Sequence, residues 1–148
     1  MRARDLVRPY PVVELESSAL KAAHLLAQQD LPGLVVVDDN GRPMTVLAGT
    51  EVLQMAVPAY CQDDPSLARV IDEAAADVFV RALEGRTVRE CLPEQHHELP
   101  VVGPNATVLE IAAIMARTHS PLVAVVDRQE GLLGAVTLDA LMDWVTRA

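Results

Sequence analysis

The residues able to do chemistry are few, and most of them suit binding better than bond-making. In Gly134-Ala135-Val136-Thr137-Leu138-Asp139-Ala140 an apolar run ends in a hydroxyl and then an acid. Thr137 takes the N-cap position of a helix, where its oxygen can accept a hydrogen bond from an amide of the first turn, and Asp139 sets a carboxylate at the positive end of the helix dipole. Cys91, His96, His97 and Glu98 include metal-type ligands, but their spacing matches no standard zinc arrangement and reads as a polar loop. His24 shares a helix with Leu20 and Ala23, and His119 stands before Ser120-Pro121 at a helix end; both read as surface or packing residues. No Ser or Cys nucleophile has a recognisable paired acid, and no glycine-rich phosphate loop follows a strand. The chain is therefore expected not to be an enzyme and to require no metal or cofactor.

The element that positions Thr137 is the stretch Pro121 to Val145. Leu122 to Val126 is short, β-branched and nearly free of charge, as a strand buried on both faces should be, and Leu132 to Val136 repeats that character after a polar connection. Leu141, Met142 and Val145 give the following helix its apolar stripe. The stretch is a hairpin feeding a helix.

The same unit occurs earlier. Pro11 to Met55 aligns with Pro100 to Trp144 at a constant offset of 89 residues, with identities at Pro11/Pro100, Val12/Val101, Val13/Val102, Leu20/Leu109, Pro32/Pro121 and Asp38/Asp127 among others. A short helical turn precedes each copy, at Ala3 to Val7 and at Val88 to Leu92. An extended valine pair follows, then a helix capped by Ser18 or by the capping box of Thr107 and Glu110, stopped near Pro32 or Pro121. The predicted fold is mixed α/β of the α+β type, a duplicated β-α-β-β-α repeat. Its divisions are residues 1–56, a helical insertion at 57–86, and 87–148. Within the insertion Asp64 and Pro65 resemble N-cap and N1, and Leu67, Ile71, Ala74 and Val78 recur at helical spacing, so one helix is predicted over Pro65 to Glu84, ended by Gly85. Its Asp72, Glu73, Asp77 and Arg81 are expected to face water.

Bulk properties exclude several classes. The 148 residues are 51% apolar, enough to bury a core, and 21 acidic against 12 basic side chains give a net charge of −9, which repels a phosphate backbone. Nucleic acid is not an expected partner. No apolar run reaches the roughly 18 residues of a membrane span, and Arg2, Arg4, Asp5 and Arg8 lead into no hydrophobic signal segment, so a cytoplasmic protein without membrane insertion is expected. Cys61 and Cys91 form neither a disulfide framework nor a CxxC motif.

The paired valines before a capped helix, the apolar strand ending in Asp and the run Gly134 to Leu141 closely resemble the CBS domain. Two copies in register resemble a complete CBS pair, or Bateman module, over Arg2 to Met55 and Thr87 to Val145. The resemblance implies regulation rather than catalysis: binding of an adenosine-containing ligand such as AMP, ADP, ATP or S-adenosylmethionine between the repeats, and control of a separate effector, a transporter, channel or enzyme. The family motif reads Gly-x-x-Thr/Ser-x-x-Asp, with the hydroxyl serving phosphate and the Asp serving ribose. Here Gly134 and Thr137 keep the first half, while Ala140 replaces the Asp and cannot accept a hydrogen bond. In the first copy Glu51 stands at the Asp position, while Thr45 and Ala48 replace the Gly and the hydroxyl. The expected ligand contacts are thus Thr137, Gly134 and Glu51, with Val12, Val13, Val101 and Val102 as apolar walls for a base. Apolar residues of the closing helices, Val52, Leu53, Met55 and Ala56 in one and Leu141, Met142, Trp144 and Val145 in the other, point to a homodimer. The alternative is a ligand-free dimerisation or interaction module with degenerate nucleotide sites.

Overall fold

In the computed structural model, which describes residues 1–70, 81–95 and 98–147, the duplication appears as two three-stranded sheets. One comprises β1 (Val12–Glu14), β2 (Gly33–Val37) and β3 (Pro43–Ala48), in that order; the other comprises β4 (Val101–Val102), β5 (Leu122–Asp127) and β6 (Gly131–Thr137). β4 runs parallel to β5, and β5 is antiparallel to β6. Helices α2 (Ala19–Gln29) and α6 (Val108–Thr118) make the crossovers between the first and second strands of each sheet, and α3 (Gly49–Ala56) and α7 (Leu138–Arg147) close the copies. The architecture is the mixed α+β repeat read from the sequence.

Local chemistry explains the boundaries. Ser18 Oγ accepts from the Lys21 amide at 3.3 Å and Thr107 Oγ1 from the Glu110 amide at 3.1 Å, so both crossover helices start at the hydroxyls. They end before Pro32 and Pro121, at Asp30 and His119, both in the left-handed conformation with φ of 51° and 56°. The duplicated aspartates close the hairpins. Asp38 Oδ1 accepts from the amides of Asn40 and Arg42, and Asp127 Oδ1 from those of Gln129 and Glu130.

The chain forms two compact units that interleave in sequence. One comprises Met1–Val12, Val35–Val46 and His97–Ala148; the other comprises Val13–Leu34 and Leu47–His96. In the first unit, alternation along β5 separates two cores. Val123 and Val125 meet Ile111, Met115 and Leu141 on the helix side, while Leu122 and Ala124 meet Val35, Val37 and Leu99 on the other. Full burial of Ile111 and Leu122, both 0% exposed, contributes about 1.5–3 kcal/mol each. In the second unit α3 packs on α2 and on α5 (Val88–Cys91), and Leu34, Leu47, Val52 and Val88 are buried.

The short leading turns take a role that linear order does not suggest: each packs on the loop after the first strand of the other copy. From α1 (Ala3–Leu6) and its flank, the Ala3 amide donates to Ala106 O at 2.8 Å, the Arg4 amide donates to Pro104 O at 3.0 Å, and Arg2 forms a bridge with Thr107. From α5 and its flank, the Val88 amide donates to Ser17 O and the Arg89 amide to Leu15 O, both at 2.9 Å, and Thr87 forms a bridge with Ser18. The side chains repeat the pattern: Arg4 donates to Asn105 Oδ1 at 2.6 Å, and Arg89 to Glu16 Oε1 at 2.8 Å. The two sets of contacts are equivalent under the repeat.

The N-terminal segment continues onto β6, where the Arg8 amide donates to Ala135 O and the Ala135 amide to Arg8 O, each at 3.1 Å. Gly134 makes this approach possible. It is buried with φ of +149°, and a Cβ built there would overlap the Arg8 carbonyl oxygen.

The insertion departs from the single predicted helix. A short helix, α4 (Ala59–Asp63), comes first, and Pro65–Val70 is a 3₁₀ turn. Asp64 accepts from the Ser66 amide and hydroxyl at 3.2 and 2.7 Å, and the Leu67 amide closes on Asp64 O at 3.0 Å, which winds the chain in i to i+3 steps. Pro58 caps α4, and Gln62 Nε2 reaches back to the carbonyls of Gln54 and Val57 at the end of α3. Ile71, Asp72, Glu73, Ala74, Asp77 and Val78 lie outside the described residues. Arg81 is exposed and Gly85 has φ of +73°, as a helix-ending glycine requires. Among the described residues, no helix is long and apolar enough to cross a membrane.

The substitution Gly134→Val would force Arg8 away from β6 in addition to adopting an unfavourable φ. Thermal unfolding should show a loss of about 3 kcal/mol, lowering the midpoint by roughly 6–12 °C. A midpoint within about 1 °C of the wild type would show that the Arg8 pairing contributes nothing to the fold.

Candidate functional site

Thr137 ends β6 opposite Leu122, and its Oγ1 accepts from the Ala140 amide at 3.1 Å. The hydroxyl caps α7 as the sequence predicts, and among the described residues no acceptor takes its proton. The Leu138 amide is held by Pro121 O at 2.9 Å. Asp139 is exposed, on the second residue of the helix, and Ala140 offers no polar side chain. Glu51 holds the comparable turn of α3 differently. With Ala48 lacking a hydroxyl, the Glu51 carboxylate reaches back, and its Oε1 accepts from the Ala48 amide at 3.0 Å. Its other oxygen makes no hydrogen bond among the described residues.

The valine pairs divide by strand alternation. Val13 and Val102 are 3% and 7% exposed, and Val102 belongs to the core with Ile111 and Met115. Val12 and Val101 are 44% and 48% exposed. Only the first member of each pair is thus available as a wall for a ligand. Val101 pairs with Ala124, which pairs with Ala135, so Val101 shares a sheet face with Thr137. Gly134, read from sequence as a ligand contact, has its face occupied by the chain at Val7 and Arg8.

A cleft of about 840 Å³ opens where β4 stops at Val102 while β5 runs on to Asp127. Its apolar side is Val101 and Val126, and Glu110 and Arg128 add charge. Asp127 pairs with Gly131 and Thr137 with Leu122, so the cleft and the hydroxyl lie at opposite ends of the β5–β6 hairpin, about 16 Å apart at 3.3 Å per residue. The structure does not bring Thr137 into this cleft.

Away from this junction, the shifts of Asp127, Glu90 and Cys91 have structural causes. Two backbone amides, of Gln129 and Glu130, hold the Asp127 carboxyl below its usual range. Arg86, at 2.8 Å, lowers Glu90, with the Thr87 amide helping. Burial pushes the Cys91 thiol up, and the charges of Glu90 and Glu51 push the same way, so this cysteine is no activated nucleophile. Cys61 is buried as well. His24 and His119 are exposed, and His96 and His97 lie outside the described residues. Among the described residues, no group of three metal-type ligands gathers. Sequence reasoning missed Arg8 and Asn105, since their roles arise from a contact between segments roughly a hundred positions apart.

These features can be set beside known proteins. The CBS domain model matches residues 3–49 and 88–147. A CBS domain-containing protein of unknown function from Kribbella flavida DSM 17836 is 51% identical, with 99% of each chain covered and a TM-score of 0.89. CBSX2 of Arabidopsis thaliana, in its complex with AMP, is 21% identical, with 99% of this chain and 96% of that chain covered and a TM-score of 0.66. A putative acetoin utilization protein, AcuB, from Vibrio cholerae is 19% identical over 99% of this chain and 91% of that chain, with a TM-score of 0.67. The latter two show likeness of fold. No protein of curated function matches in sequence. With both copies of the repeat matched by one family model, the chain belongs to the CBS domain family and carries the domain twice.

Proposed function

We propose that this CBS pair is a regulatory module that binds an adenosine-containing ligand (AMP, ADP, ATP or S-adenosylmethionine) and passes its occupancy to a separate effector protein in the cytoplasm. The observation that carries the reading is the β6–α7 junction. Thr137 caps the helix with its oxygen and keeps its proton for a ligand. Val101 is half exposed on the same sheet face, where a base could lie. Glu51, with one carboxylate oxygen left over, is the candidate ligand group of the other copy. The AMP complex of the similarly folded CBSX2 supports the choice of ligand class. Nothing in this reading calls for catalysis.

The test is a thermal-shift series with AMP, ADP, ATP and S-adenosylmethionine. A ligand at 100 times its dissociation constant stabilises by about 2.7 kcal/mol, which should raise the midpoint by roughly 5–10 °C in a chain of this size. Thr137→Ala or Glu51→Ala should abolish the shift, according to which half-site is occupied. No shift with any of the four would defeat the proposal.

A specific surface favours a second reading, assembly without ligand. Leu138, Met142 and Val145 recur at helical spacing on α7 and are 43%, 51% and 49% exposed. This stripe on α7 suits a homodimer contact, whereas Leu141 of the same helix, and Val52 and Ala56 of α3, are buried within the fold and are not available to one. Light scattering at micromolar concentration should then return twice the mass of one chain. The mass of a single chain would exclude the dimer.

A further inference from the structure

The pairing of the N-terminal segment with β6 sets the backbone of Arg8 diagonally across from Thr137. Arg8 and Ala135 exchange both backbone hydrogen bonds, so their side chains leave the sheet on one face. Ala135 and Thr137 are two residues apart on β6 and share that face. Arg8 and Thr137 are therefore diagonal cross-strand neighbours, about 7–8 Å apart at the backbone and within reach of a long side chain.

Arg8 is exposed, and among the described residues its one side-chain hydrogen bond runs from Nη1 to the adjacent Val7 carbonyl at 3.0 Å. Among the described residues no carboxylate pairs with it, although the chain carries a net charge of −9. The acid nearest in sequence to Thr137 is Asp139, whose charge would oppose an anion. Arg8 is the cation within reach of that turn once its side chain leaves the Val7 carbonyl. A guanidinium turned toward the Thr137 hydroxyl would complete a donor set for phosphate oxygens.

We infer that Arg8 makes the Thr137 site selective for phosphate-bearing adenosine ligands over the cationic S-adenosylmethionine. The inference rests on the ligand-binding reading above, and it narrows the ligand class and adds a residue that the family motif does not contain.

Isothermal titration of the full chain with AMP, adenosine and S-adenosylmethionine tests it, using the wild type and Arg8→Gln. The wild type should bind AMP at least about tenfold more tightly than adenosine, as expected for a charge-assisted contact. Arg8→Gln should remove that difference by weakening AMP while leaving adenosine unchanged. Its melting temperature should match the wild type, because the pairing with Ala135 uses only backbone. Equal AMP affinity in the two proteins, or tighter binding of S-adenosylmethionine than of AMP by the wild type, overturns the inference and leaves ligand binding standing. Absence of binding by the wild type to all three overturns both.

Discussion

The carbonyls of Pro104 and Ala106, and those of Leu15 and Ser17, accept backbone hydrogen bonds from a segment that lies far away in the sequence. A loop carbonyl that folding removes from water needs a donor, and here the donor comes each time from the turn that leads the other copy. The rest of the structure depends on this reciprocal arrangement. Docking of α1 on the loop at 103–106 sets the path of the chain that follows, and that path brings Arg8 onto β6 beside Ala135. Gly134 is the local condition for it, since any side chain at that position would occupy the space of the Arg8 carbonyl.

The same arrangement decides what the candidate site is made of. β6 gains a neighbour on its open edge, which fixes the strand that ends in Thr137 and with it the N-cap of α7. Pleating then sorts the valines: Val102 joins the core under α6, and Val101 stays half exposed on the face of Thr137. With alanine at 140 and at 48, the two copies begin their closing helices differently. In one a hydroxyl caps the helix; in the other the Glu51 carboxylate reaches back to the Ala48 amide. The repeat therefore preserves the scaffold more faithfully than the chemistry, as expected when function resides in a few positions on a common fold.

Much of the scaffold was legible in the chain because it is governed by local rules. Ser18, Thr107 and Thr137 cap where hydroxyls should, the apolar runs form β2 and β5, and Asp38 and Asp127 close turns of the kind that short acceptors favour. What escaped was non-local, or depended on competition between similar local forms. Periodicity alone could not separate a 3₁₀ turn from an α-helix after Pro65, where the Asp64–Ser66 hydrogen bonds decide. Gly134 matched a ligand motif, and only the tertiary approach of Arg8 revealed its packing role. The valine pairs looked alike until the register assigned each member a face.

Native-state hydrogen exchange followed amide by amide tests the reciprocal arrangement most directly. The first residues of a chain ordinarily fray and exchange at nearly the rate of free peptide. If the leading segments complete the fold, the amides of Ala3, Arg4 and Arg8 should be protected to the same degree as those of Val88, Arg89 and Ala135, and all six should open together in the global unfolding event. Exchange of Ala3, Arg4 and Arg8 at the unprotected rate, with Ala135 still protected, would contradict the account.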